Sequence, residues 1–203
     1  MMRKILLSAV CAILLMLFGC DQPEAQPRLR PDAVILAFGD SLTQGVGTRP
    51  ELSYPNQLSR LIGRPVVNAG KSGEVSAAGL ERLPQLLEET RPALVLICHG
   101  GNDLLRQLDR QALQDNLRRM IDAARQSGAA VVLIAVPQPG LLLEDAPLYR
   151  EVAAETEALL LDKKLGSLLK ERQYKSDSVH LNGQGYRRLA EAVADFLQQQ
   201  GML

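Results

Sequence analysis

Ser41 stands just past an apolar run, Ala33-Val34-Ile35-Leu36-Ala37-Phe38, in the stretch Gly39-Asp40-Ser41-Leu42. A serine at the mouth of a buried strand, two residues after a glycine, is where an α/β fold can display a nucleophile. A hydroxyl is a weak nucleophile at its own pKa and needs an adjacent base. The chain holds two histidines, His99 and His180. His180 closes the stretch Ser176-Asp177-Ser178-Val179-His180, just before the last helical pattern. Asp177 lies three residues earlier, so a tight loop can bring its carboxylate to the imidazole, orient the ring and stabilise the imidazolium formed when the serine proton is taken. An Asp-x-x-His spacing alone also fits a surface loop with a helix cap. What raises it here is its position in a chain with so few histidines.

Acyl transfer at a serine also requires donors aimed at the developing oxyanion. Asn102, in Gly100-Gly101-Asn102-Asp103, follows another apolar run, and its side-chain amide can donate. The paired glycines allow a sharp turn and a close backbone approach. Gly73, in Ser72-Gly73-Glu74, can offer its N–H, with a helix-start turn as the alternative for that residue taken alone. Ser41 can supply a third N–H if it opens a turn toward a helix. Asp40, beside the nucleophile, is read as a turn former whose carboxylate accepts local backbone N–H groups.

These residues need a scaffold, and the hydrophobic pattern supplies one. Continuous apolar runs at 33–38, 65–69, 93–98 and 130–136 are expected as parallel strands covered on both faces, with 159–161 as a short fifth. Helical patterns fall between them at about 53–62, 77–90, 109–127, 147–157, 163–172 and 184–199, with Gly128 as a C-cap and Pro92 as a stop. The alternation argues for an α/β class, three-layer α/β/α, with a central, mostly parallel five-stranded sheet. Sites in such sheets form at the carboxyl ends of the strands. The segments to read are therefore 39–48, 70–76, 99–106 and 137–146.

Bulk properties narrow the chemistry further. With 203 residues, one sizeable domain is expected. Charge is balanced, 23 basic against 23 acidic residues, with no basic stripe to suggest nucleic acid. The absence of Trp, with three Phe and four Tyr, makes the core aliphatic. No His/Cys or carboxylate cluster with metal-ligand spacing appears, and no phosphate-binding glycine loop, so neither metal nor cofactor is expected.

Residues 1–19 are expected to be a leader. Arg3 and Lys4 form a basic start, Ile5 to Phe18 an apolar segment short for a membrane span, and Leu17-Phe18-Gly19-Cys20 resembles a bacterial lipobox, which makes Cys20 the candidate lipidation site. Phe18 is unusual in that slot, and a plain secretory signal cleaved nearby is the alternative. Asp21 after the cysteine favours retention at the inner membrane over the outer, with the protein anchored and facing the periplasm. Residues 20–32, rich in Pro, Gln and charge, read as lipidated cysteine plus flexible tether. The domain is then 33–203. Once Cys11 leaves with the leader and Cys20 carries lipid, Cys98 is the one remaining cysteine, so no internal disulfide is possible; it reads as a small buried apolar residue.

Four stretches in order, Gly39-Asp40-Ser41-Leu42, Asn68-Ala69-Gly70-Lys71-Ser72-Gly73, Gly101-Asn102-Asp103 and Asp177-Ser178-Val179-His180, resemble the four sequence blocks of the SGNH (GDSL) hydrolase family. The likeness spans about 33–199 and is nearest to its bacterial periplasmic thioesterase/lysophospholipase/arylesterase group. Gly39 to Gly45 and the Ser53-Tyr54-Pro55 helix start are typical of that group. The resemblance implies an SGNH/flavodoxin-like fold and a serine esterase acting on small acyl esters or thioesters through an acyl-enzyme. It implies Ser41 as nucleophile, His180 as base and acid, Asp177 as its orienter, and Ser41 N–H, Gly73 N–H and the Asn102 side chain as oxyanion hole. Gly70 is the other candidate glycine in its block. The chain departs from the family in having Glu74 where Asp is common and His99 where an apolar residue is common. His99 is read as a partly buried neighbour satisfied by hydrogen bonds, with tuning of the Asn102 loop as the lesser reading. A deacetylase or acyltransferase acting on envelope polysaccharide is the alternative activity.

Acyl specificity is expected from Pro137 to Pro147, where Leu141-Leu142-Leu143 in a Pro/Gly-rich loop can line an acyl pocket or cap the core beneath it. A preference for short-to-medium acyl groups follows from the first alternative.

Overall fold

The computed structural model describes residues 28–140 and 142–203. The leader, Cys20, Asp21 and Leu141 lie outside the described residues.

Among the described residues five strands form one sheet: β1 Ile35–Gly39, β2 Val66–Gly70, β3 Leu94–Cys98, β4 Ala130–Ile134 and β5 Leu159–Leu161. Their order is β2-β1-β3-β4-β5, and all four pairings are parallel. Every residue of β1 and β3 is buried, as a strand covered on both faces requires. The helices among the described residues are α1 Ser41–Gln44, α2 Tyr54–Ile62, α3 Ser76–Thr90, α4 Gly101–Leu105, α5 Arg110–Gln126, α6 Leu148–Thr156, α7 Lys164–Lys170 and α8 Gly183–Gln199. α2 and α7 pack against α8, while α3 and α6 pack against α5, giving the two outer layers. The core is mainly aliphatic, with Leu, Ile and Val side chains of β1, β3 and β4 fully or nearly fully enclosed, but its largest buried side chains are Tyr54, Tyr149, Tyr186 and Phe38.

Local signals set most boundaries. Asp109 caps α5 by accepting the Gln111 N–H, and Gly128 turns the chain out at φ +88°. α3 ends at Arg91, a non-glycine residue at φ +42°, one residue before the proline expected to stop it. β4 is shorter than the 130–136 expectation. Ala135 N–H makes the last bond to β5, at Leu161 O, and beyond it the chain turns onto its own loop, where Val136 O accepts from Ala146 N–H. Within the stretch read as tether, Leu29 is buried and its N–H donates to Met202 O at 2.8 Å, so packing begins by Leu29. Cys98 is fully buried, and burial, with the Asp40 charge nearby, pushes its thiol pKa far up, so it stays an apolar filler.

Candidate active site

Ser41 is the first residue of α1, directly at the end of β1. Gly39 runs so close to β3 that a methyl there would collide with Cys98 O, and a methyl on Gly70 would collide with the backbone of α1. These contacts hold α1 down between β2 and β3 and aim Ser41 outward. Asp40 is the N-cap, accepting the Leu42 N–H at 3.1 Å while buried at 1% exposure. Burial raises its pKa, partly offset by the nearby His99 imidazole and by backbone N–H bonds. It shapes the turn, as its neighbours suggested.

His180 reaches Ser41 across the sheet end. Its Nε2 lies 2.9 Å from Ser41 Oγ, and its Nδ1 lies 2.8 Å from Asp177 Oδ2. The loop carrying both is closed by the Lys175–Leu181 bridge, and Ser176 N–H donates to His180 O at 3.0 Å. The other Asp177 oxygen accepts the N–H groups of Val179 and His180 at 2.9 and 2.8 Å. Burial raises the Asp177 pKa, but those two N–H bonds and the bond from the His180 ring outweigh it, so the carboxylate stays ionised below its usual range. α8 begins immediately afterwards, with Asn182 capping Gln184 and Gly185.

The donors converge from the other side. Nothing among the described residues accepts the N–H of Ser41 or of Gly73, and both residues line the cleft. Gly70 N–H is already given to Asn68 Oδ1 at 3.0 Å, which separates the two glycine candidates. Gly73 sits at φ +76°, a conformation that a side chain would strain. Asn102, in the first turn of α4, gives one amide hydrogen to Glu74 O at 3.0 Å. Its other contact, Asp40 Oδ2 at 3.4 Å, is at the long limit for an amide bond and leaves that hydrogen weakly held at the cleft.

The cleft has a volume of about 170 Å³ and runs from Ser41 between Leu105, Val136, Pro139, Leu143, Leu169 and Val179. Three expectations change here. Of the triple leucine, Leu143 lines the cleft, whereas Leu142 is 68% exposed and points away from it; Leu141 lies outside the described residues. His99 is fully buried, not partly, because it lies beneath α3 where Gly79 leaves room for its ring. The apolar wall also includes Leu105, Val136, Leu169 and Val179, which the sequence reading did not single out. Leu105 was within reach, three residues after Asn102, but Leu169 carries no local signal at all.

The arrangement can pass the Ser41 proton to His180 and meet negative charge on a bound carbonyl with two backbone N–H groups and an amide. Residues 37–188 match the model of the GDSL-like Lipase/Acylhydrolase family. The chain is 38% identical to Esterase TesA of Pseudomonas aeruginosa over 143 residues, 68% of this chain and 66% of that one. It is 31% identical to an arylesterase of Vibrio mimicus over 194 residues, covering 90% of this chain and 95% of that one. Its fold superposes with a TM-score of 0.76 on the psychrotrophic esterase EstA from Pseudoalteromonas sp., in a structure inhibited by monoethylphosphonate, at 25% identity, covering 83% of this chain and 98% of that one.

Proposed function

The chain belongs to the GDSL-like lipase/acylhydrolase family, and we propose that Ser41, His180 and Asp177 carry its carboxylic ester hydrolysis. The observation that supports this most is the unbroken line Asp177 Oδ2–His180 Nδ1, His180 Nε2–Ser41 Oγ, at 2.8 and 2.9 Å. Ser41 Oγ attacks the acyl carbonyl as its proton moves to His180 Nε2. The tetrahedral oxyanion lies against Ser41 N–H, Gly73 N–H and the Asn102 amide. His180 then protonates the leaving alkoxide or thiolate, and an acyl-enzyme remains on Ser41. A water deprotonated by His180 attacks it, and the carboxylic acid leaves. Asp177 keeps Nδ1 protonated throughout, which leaves Nε2 free to accept.

The substrate is a small acyl ester or thioester whose apolar part lies along Leu105, Val136, Pro139, Leu143 and Leu169. The relatives' names favour esterase over a polysaccharide deacetylase or acyltransferase. The N-terminal pattern ending at Cys20 favours a lipid anchor in the cell envelope with the domain facing the periplasm. Loss of acyl-chain labelling in Cys20→Ser, with the wild type labelled, tests the anchor. For the activity, a fluorophosphonate probe should label the wild type and not Ser41→Ala, and that variant should lose ester hydrolysis by about 10⁴-fold or more while remaining folded. Equal hydrolysis by Ser41→Ala would remove the nucleophile assignment.

A further inference from the structure

Beneath the two outer oxyanion donors lies a buried charged cluster that the hydrolytic steps do not use. Glu74 directly follows Gly73, and its backbone carbonyl is the acceptor that holds Asn102 Nδ2 at 3.0 Å. One residue therefore adjoins one donor and anchors the other. Its side chain is 1% exposed and meets Arg82 through two bonds, Nε to Oε1 at 3.0 Å and Nη2 to Oε2 at 2.6 Å. Lys71 Nζ lies 3.5 Å away at the solvent edge. Arg82 also donates to Ala69 O in β2 and stacks over Phe38 of β1, 4.7 Å from the ring centre. The loop bearing Gly73 is thus tied to two strands of the sheet.

His99 links this loop to the one bearing Asn102. Its Nδ1 accepts the Gly100 N–H at 2.9 Å, so the ring hydrogen sits on Nε2, which lies 3.3 Å from Glu74 Oε2. Gly100, at φ +103°, opens the turn into α4, where Asn102 is the second residue. The His99 carbonyl is fixed in turn by Tyr149 Oη at 2.7 Å. A methyl on Gly79 would collide with His99 Nε2. A carboxylate this deeply buried is tolerated only with its oxygens paired, so its position, and that of the backbone on either side, is fixed by the partners around it.

We propose that Glu74, His99 and Arg82 are positioning residues for acyl transfer: together they set the Gly73 N–H and the Asn102 amide at the spacing the oxyanion needs. The proposal rests on the reading of Ser41 as nucleophile. Donors of this kind act by being in place before charge develops, so displacing them reduces the chemical step more than substrate binding. The cluster then shows itself as a loss in kcat at constant KM, which a purely structural support does not produce in folded protein.

The test compares His99→Leu, His99→Gln and Gly79→Ala with the wild type on a p-nitrophenyl ester, each well below its own Tm. The wild type is first labelled with a fluorophosphonate, since failure there would sink the nucleophile reading rather than this one. His99→Leu and Gly79→Ala should lose about 10- to 100-fold in kcat with KM within about twofold, part of the roughly 10²–10³ lost when a whole donor is removed. His99→Gln, which can still accept from Gly100 and donate to Glu74, should recover most of the loss. Binding of a trifluoromethyl ketone, which forms the tetrahedral adduct, should weaken in parallel with kcat. Folded variants with unchanged kcat, or with raised KM at constant kcat, would overturn the proposal. If the His99 and Gly79 variants do not fold, Arg82→Lys, which keeps the charge and loses the two-point contact, should still lower kcat several-fold; an unchanged kcat there overturns it equally.

Discussion

The cleft wall that carries Gly73 and Asn102 is crossed from behind by buried charged bonds, whereas the wall formed by residues 137–146 is held mainly where it begins and ends. On the first side, half-buried Arg82 and buried His99 hold the buried Glu74 carboxylate and knit two strand ends together. On the second, a single bridge pairs Pro137 with Asp145, Gln138 N–H reaches Glu144 O at 2.9 Å, and Asp145 Oδ2 accepts the Lys163 N–H. Leu143 sits at φ +44°, Leu142 projects outward, and Asp145 Oδ1 has no partner among the described residues. On the function proposed above, the contrast follows from what each wall would do. Developing charge is stabilised only by dipoles already in place, since reorganising them costs what they return. An apolar acyl group is bound through contact area, which tolerates small shifts. The same chain therefore concentrates buried charge under one wall and leaves the other to loop geometry.

Removing a donor should break the contrast most visibly. Asn102→Ala is expected to lower kcat by about 10²–10³ with little change in KM, measured by steady-state hydrolysis of an activated ester. Acid should act next on the first wall, through Glu74. Burial raises the Glu74 pKa, but hydrogen bonds from His99 and Arg82 and the Arg82 charge outweigh it and hold it at about 2, below the ordinary 4.5. A depressed carboxylate pKa adds stability that is present above the unfolded pKa and lost as pH falls through the folded one. The stabilisation, on the order of 3 kcal/mol, should disappear between about pH 4.5 and pH 2. Urea denaturation at pH 6 and pH 2.5 should show a pH-dependent loss smaller by that amount in Glu74→Gln than in the wild type; equal losses in the two would refute it.

Smaller effects should separate the two leucines of the opposite wall. Leu143→Asp is expected to cut kcat/KM about 10-fold or more on the longer esters of a p-nitrophenyl series and to shift the chain-length profile, since it places a polar group in the acyl cleft. Leu142→Asp should leave that profile unchanged and move stability by no more than about 0.5 kcal/mol, as an exposed side chain with nothing to lose. An altered profile in Leu142→Asp would mean that the loop closes differently over substrate.

Much of this protein was legible in its residues because the signals are local. Continuous apolar runs mark strands enclosed on both faces, and all five described strands lie within a residue or two of their expected ends. Gly39, Asp40 and Ser41 state a tight strand-to-helix turn, and Asp177 with His180 states a loop three residues long. Their order along the chain points to the family without any geometry. What the residues do not carry is the outcome of packing between distant segments. Ser41 and His180 are 139 positions apart and meet because α8 packs against α2 and its Tyr186 Oη donates to Val46 O just past α1. Glu74 and His99, 25 positions apart, become one cluster only because β2 and β3 flank the same central strand and Gly79 leaves space for the imidazole. The triple leucine is a single repeated letter in sequence, yet Leu143, at φ +44°, lines the cleft while Leu142 is exposed. The types and order of the chemical groups are written along the chain, whereas their distances and burial arise from the layers folding together, since a contact between residues far apart in sequence depends on every element packed between them.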